Sequence, residues 1–234
     1  LTSPSYTLAF SPDQRLAFTK GRTGLPISQY HVSLWDIQTG KRRWIHSATI
    51  GNPGLLNSAN SAKFSPGGKY ILSGEYTTIN LRDVMSGHVI RTFADESIGE
   101  IYSVAFSSDG KYALSGSGDK NIRLWDVQSG AKLKKFVGHS GEVTSVTFSH
   151  DGKRILSGGD ASTRLWNLST DEEIVTMIKF DESEWLVITS EGYYNASEKG
   201  AQYVSVKVGE TSYSVDSFYD VFYRPDIVAS KLRG

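Results

Sequence analysis

The chain has 234 residues, of which 38% are hydrophobic, 12% aromatic and 21% charged. That is a globular composition, and it excludes disorder over the whole length. Twenty-five Lys and Arg balance twenty-five Asp and Glu, which argues against a dedicated binder of nucleic acid or of an anionic membrane, because either carries a basic stripe. Cysteine is absent, so no disulfide, thiol nucleophile or thiolate zinc site can form, and no apolar run reaches the ~20 residues of a membrane-spanning helix.

Taken in chain order, four segments share one pattern. The first reads Leu8-Ala9-Phe10-Ser11-Pro12-Asp13 and then Leu34-Trp35-Asp36-Ile37, with a turn at Thr39-Gly40. It carries an insertion at 20–30, between its second and third strands, and a long link follows at 48–60. The second reads Ala62-Lys63-Phe64-Ser65-Pro66-Gly67-Gly68 and Leu81-Arg82-Asp83-Val84. Arg82 stands where the other units have Trp, so this unit is expected to be irregular or to give Arg82 a polar partner. The third reads Val104-Ala105-Phe106-Ser107-Ser108-Asp109-Gly110 and Leu124-Trp125-Asp126-Val127. The fourth reads Val146-Thr147-Phe148-Ser149-His150-Asp151-Gly152 and Leu165-Trp166-Asn167-Leu168.

The Phe landmarks are spaced by 54, 42 and 42 residues. Apolar residues alternate with period two, as in Val104/Phe106 and Ile122/Leu124, which predicts strands. Gly, Asp and Ser clusters between them supply turns. Each unit therefore reads as four antiparallel strands of about five residues. Charged last strands, such as Lys132-Leu133-Lys134-Lys135, protect a sheet edge from pairing with another chain. A nucleic-acid role for that run is the weaker reading.

Phe-Ser-x-Asp-Gly-Lys, Leu-Ser-Gly-Ser-Gly-Asp, Ile-Arg-Leu-Trp-Asp and Gly-His resemble the motifs of WD40 repeats over about residues 5–180. The resemblance implies an all-β, WD40-type β-propeller of four-stranded antiparallel blades. The blades are expected at about 5–46, 59–95, 101–138 and 143–180, with 181–234 forming a degenerate fifth blade and a C-terminal tail. Segment 174–180 is assigned to the end of blade four. The tail, with Glu184-Trp185-Leu186-Val187-Ile188-Thr189, Gly192-Tyr193-Tyr194-Asn195-Ala196-Ser197 and Phe222-Tyr223-Arg224-Pro225-Asp226, resembles the segment after the last repeat in certain bacterial WD40 proteins that carry a caspase-like peptidase domain. At about 42 residues per blade the chain supplies between five and six blades' worth of sequence. Two readings stay open: a five-bladed ring, or the C-terminal part of a larger propeller. In the second, another chain or missing N-terminal blades would complete the ring. The absence of an initiator Met at Leu1 favours the second.

The implied function is a non-catalytic protein-interaction scaffold, the regulatory or sensing part of a larger bacterial protein. Its partner is a protein of unknown identity, with no nucleic acid, membrane span, metal or cofactor. His139, Ser157, Asp160 and Trp166 could be taken for a Ser-His-Asp hydrolase site. The resemblance instead implies that these four residue types form a structural network. A nucleophile elbow would need Gly-x-Ser-x-Gly, and position 142 is Glu142. Blade three has Ser115, Asp119 and Trp125 but no Gly-His, so its network is expected to be incomplete. Candidate partner-binding residues, chosen as Arg, Tyr and Asn near loop ends, are Arg22, Tyr30, Asn57, Asn60, Tyr76 and Tyr102. Two rivals remain. A small propeller hydrolase or lyase would need carboxylates or His on the first strands at the central opening, which offer almost none. A self-assembling segment would reveal itself by its mass in solution.

Overall fold

The computed structural model describes residues 5–23, 29–49, 61–95, 98–208 and 210–233. Blade one contains β1 (Ser5–Phe10), β2 (Leu16–Thr23), β3 (Gln29–Asp36) and β4 (Arg42–Thr49), hydrogen-bonded in that order. Blade two contains β5 (Ser61–Phe64), β6 (Tyr70–Glu75), β7 (Thr78–Asp83) and β8 (Val89–Phe93). Blade three contains β9 (Ile101–Phe106), β10 (Tyr112–Ser117), β11 (Asn121–Asp126) and β12 (Lys132–Val137). Blade four starts with β13 (Val143–Phe148), β14 (Arg154–Gly159), β15 (Ser162–Asn167) and β16 (Glu173–Lys179). The insertion of unit one lengthens β2 and β3 to eight residues each, whereas the equivalent strands of the other blades have six.

The turn residues explain why the strands end where they do. Ser107 Oγ donates to Asp109 Oδ1 at 2.6 Å, and the same carboxylate oxygen accepts from Lys111 N at 3.0 Å. This local bonding offers the backbone a turn in place of a longer ladder. At the third-to-fourth turn, Asp126 Oδ1 accepts from Ser129 N and Oγ, both at 2.6 Å, and Gly130 supplies a φ of +80°. Asp171 takes that position in blade four at φ +65°. A bulge recurs in every blade just after the third strand's Leu, at Leu34/Trp35, Leu81/Arg82, Leu124/Trp125 and Leu165/Trp166.

Blades stack face to face. Leu72, Ile79, Leu81 and Phe93 of blade two pack on Ile101, Val104, Ala113, Trp125 and Val127 of blade three. Leu114, Ile122, Leu124 and Phe136 of blade three pack likewise on Val143, Val146, Ile155 and Trp166 of blade four. Each such Leu or Phe side chain contributes ~1.5–3 kcal/mol on full burial. The first strands follow one another, with β5 between β1 and β9, and β9 between β5 and β13. Among the described residues, no comparable packing joins blade four to blade one.

The tail departs from the expected separate fifth blade. β17 (Trp185–Thr189) pairs with β16, and β18 (Tyr194–Ala196) pairs with β17, so the fourth sheet has six strands. Two causes are visible. Asp181 Oδ1 accepts from Ser183 N and Glu184 N, both at 2.8 Å, and Phe180 N donates to Glu184 O at 2.9 Å, which folds the chain straight back along β16. The centre of β16, Ile174 to Ile178, also carries no charge, unlike the Lys-bearing β12, so its edge accepts a partner strand. Beyond β18 come a 3₁₀ turn (Gly200–Tyr203), the hairpin β19 (Ser205–Val208) and β20 (Thr211–Ser214), a second 3₁₀ turn (Val215–Phe218), α1 (Tyr219–Phe222) and α2 (Pro225–Arg233). Leu186, Tyr194, Ala201 and Val215 form the small core of this region.

Candidate functional site

In blade four, the turn after β14 places Asp160 at φ +45°, and the segment before β13 brings in His139. His139 Nδ1 lies 2.6 Å from Asp160 Oδ1, and its Nε2 lies 2.7 Å from Ser157 Oγ. Trp166 Nε1 donates to the same Ser157 oxygen at 2.8 Å. Asp160 Oδ1 also accepts from Ser162 Oγ at 2.7 Å, and Oδ2 accepts from Ser140 N at 2.5 Å and Ser140 Oγ at 2.7 Å. Burial raises the Asp160 carboxyl, but the hydrogen bonds from Ser162, His139 and Ser140 outweigh it and hold the group well below the usual carboxylate range. The Ser-His-Asp connectivity matches that of a hydrolase, yet Ser157 is 1% exposed and its hydroxyl accepts from Trp166. A nucleophile needs an approach for substrate, and this hydroxyl has none. Its hydrogen bonds tie β14 and β15 to the segment before β13.

Blade three has the Ser115–Trp125 contact, with Trp125 Nε1 donating to Ser115 Oγ at 2.9 Å. The gap expected from its missing Gly-His is filled by Arg123, which is fully buried. Arg123 Nη2 donates to Asp119 Oδ2 at 2.6 Å, and Nε donates to Asp95 Oδ2 at 2.8 Å. Asp95 also accepts from Lys132 Nζ at 2.8 Å, and Asp119 accepts from Ser117 Oγ. Burial raises Asp119, but its bonds to Arg123 and Ser117 win and lower it. Blade two uses a third solution: Arg82 Nη2 donates to Glu75 Oε1 at 2.8 Å, and Ser73 Oγ donates to the same oxygen at 2.8 Å. Arg82 therefore has the polar partner that its sequence position called for. Arg123, Asp95 and Glu75 were not singled out in the sequence. The available signal was an Arg on a strand that otherwise alternates apolar residues.

Of the loop-end candidates, Arg22, Tyr30, Tyr76 and Tyr102 fall at the end of the blades where second strands turn into third strands and first strands begin. Tyr76 lies in the β6–β7 turn at φ +55°, 38% exposed, and its carbonyl accepts from Ile101 N at 2.6 Å. Tyr102 is half-buried next to Gly118, where an added Cβ would lie 3.3 Å from the Tyr102 ring. Burial raises the Tyr102 phenol, and the carboxylates of Glu142 and Glu100 raise it further. Lys20 belongs to the same group: burial lowers its ammonium, against the opposing pull of Glu75 and Glu100. Arg22 and Tyr30 are direct register partners near the end of the β2–β3 hairpin. Asn57 and Asn60 lie outside the described residues, as does most of the 48–60 link. Among the described residues, no three His, Asp or Glu are placed to hold a metal ion, and no helix is long and apolar enough to cross a membrane.

A family model described as "WD domain, G-beta repeat" matches residues 84–126 and 130–167. Autophagy-related protein 16 of Arabidopsis thaliana is 35% identical over 114 residues, 48% of this chain and 21% of that protein. Transcription initiation factor TFIID subunit 5 of Caenorhabditis elegans is 27% identical over 137 residues, 58% of this chain and 19% of that protein. Transducin-like enhancer protein 2 of Mus musculus is 29% identical over 149 residues, 61% of this chain and 18% of that protein. The chain thus spans about a fifth of the length of these relatives. Four stacked antiparallel blades, the recurring bulge and these matches lead to one conclusion: residues 84–126 and 130–167 are similar to WD repeats, and the chain has the all-β architecture of a WD40-type propeller.

Proposed function

We propose that the chain is a non-catalytic protein-interaction module that docks its partner on the end of the blades carrying Tyr76 and Tyr102. The observation that carries this reading is the convergence there of Tyr76, Tyr102, Lys20, Glu75, Glu100 and Glu142 around the start of the first strands. Tyr offers a large contact area at low entropy cost, and the carboxylates beside Tyr102 suit a partner segment bearing Lys or Arg. The WD-repeat relatives, none named as an enzyme, support a docking role. The finer setting, a regulatory part of a larger bacterial protein with a caspase-like peptidase, rests on the tail resemblance, and the three relatives named above are eukaryotic. Affinity capture from the native source with wild-type chain and with the double variant Tyr76→Ala/Tyr102→Ala tests the face. The variant should keep its fold by circular dichroism and lose the captured partner. Retention of the partner by a folded variant overturns the assignment.

A further inference from the structure

The junction between blades one and two is built differently from the two that follow. At the later junctions Phe93 and Phe136, on the outer strands, meet Trp125 and Trp166 of the next blade edge-on, each with ring centroids 5.9 Å apart. His46 holds the equivalent place in blade one: it pairs with Val32 as Phe93 pairs with Ile79 and Phe136 with Ile122. The blade it meets has Arg82 in place of the Trp, and that guanidinium is held by Glu75 at 2.8 Å. His46 faces the β7–β8 turn, where its Nε2 lies 3.2 Å from Ser86 O and its ring lies 5.4 Å from that of His88, with planes at 67°. Trp44 beside it donates from Nε1 to Val84 O at 2.8 Å, which fixes β4 against the same turn. Gly87, at φ +74°, permits this approach, since an added Cβ would lie 2.6 Å from both His46 Nε2 and Trp44 Cδ2.

This arrangement prepares His46 to ligate a metal ion. A carbonyl oxygen only accepts, so His46 Nε2 donates to Ser86 O and Nδ1 keeps its lone pair. One ring N–H fixed on a carbonyl, with the other nitrogen open, is the outer support usual for a metal-binding imidazole. His88 is exposed, and among the described residues its ring meets His46 but enters no hydrogen bond. The spacing fits as well. With a Zn–N bond of ~2.0–2.1 Å a ring centroid sits ~3.2 Å from the ion. Two centroids 5.4 Å apart then subtend ~115° at the ion, close to a tetrahedral angle.

We infer that His46 and His88 form a two-imidazole site for a transition-metal ion of the Zn²⁺ class, with water in the remaining positions. The ion ties the outer strand of blade one to the turn of blade two, at the junction that lacks the Phe–Trp pair. Imidazole donors suit Zn²⁺, Ni²⁺ and Cu²⁺, whereas Mg²⁺ and Ca²⁺ take oxygen. Two side chains grip less tightly than the three or four of structural and catalytic zinc sites, so occupancy follows the concentration of free ion.

Isothermal titration of the purified chain with ZnCl₂ at neutral pH tests this. The wild type should take up one Zn²⁺ per chain. His88→Ala, a change at an exposed position, should keep its circular dichroism and weaken binding by at least ~10-fold, the scale on which even a supporting group counts. His46→Gln, which can still donate to Ser86 O, should do the same. His150→Ala removes an exposed histidine of blade four and should leave the titration unchanged. No uptake by the wild type in ~100 μM ZnCl₂ overturns the inference. Uptake that His88→Ala leaves intact, which is surface binding by an adventitious ion only, overturns it too, as does uptake that His150→Ala abolishes.

Discussion

Blades three and four share one pattern 42 residues apart, yet they differ in two ways. Leu114 is fully buried and Leu156 is 37% exposed, although both sit in a Leu-Ser-Gly strand. Their buried polar centres also differ, with Arg123 bridging Asp119 and Asp95 in one and His139 bridging Asp160 and Ser157 in the other. In a stacked repeat, burial is a property of the junction with the next unit and not of the strand alone. The polar centre is a property of each blade.

The largest expected effect tests the polar centres. Arg123→Ala leaves the Asp119 and Asp95 carboxylates without their shared cation inside the blade, and should cost ~3–5 kcal/mol in urea unfolding. A cost under ~1 kcal/mol would mean that the ion pairs are not what holds blade three together. Next comes the junction. Leu114→Ala should cost ~3 kcal/mol by loss of buried surface and creation of a cavity. Leu156→Ala should cost ~1 kcal/mol or less, because the side chain is already 37% exposed. Equal costs would erase the distinction between covered and open sides. The smallest effect is one of pH. The folded Asp160 carboxyl titrates below its unfolded value, so its contribution is present above the unfolded pKa of ~4 and is lost as pH falls through the folded value. Asp160→Asn should therefore flatten the acid limb of the stability profile, with stability at neutral pH reduced. An unchanged acid limb would assign that limb to other carboxylates.

The repeat period and the strand pattern were legible in the sequence because period two and a fixed turn chemistry are local signals. The position of Arg82 also told its story, since a guanidinium in place of a buried Trp must find an acceptor. Arg123 did not stand out, because its partner Asp95 is 28 residues away in a loop with no pattern of its own. The six-stranded fourth sheet was hidden for a related reason. Strands β17 and β18 alternate like any others, and only the hairpin held by Asp181 decides that they add to β16 rather than start a new blade. Of the loop-end residues, Tyr76 and Tyr102 could be placed by topology, since turns and strand starts share one end. The proximity of Tyr102 to Glu100 and Glu142 depends on side-chain packing, which no spacing rule reports.

The unlike polar centres also bear on how a repetitive chain finds its own order. Strands of near-identical pattern can exchange between units during folding, a characteristic failure of repeat proteins. Here such an exchange carries a mismatch. The third strand of blade three, placed in blade four, would take Arg123 away from Asp95 but into the position of Arg164, beside Asp160 and Glu173. The third strand of blade two would bring Arg82 without Glu75. The second pairing would enclose a charge without its carboxylate, whereas the apolar residues alone would tolerate the swap. The Glu75–Arg82 pair thus acts as an address for blade two, penalising arrangements that separate its members.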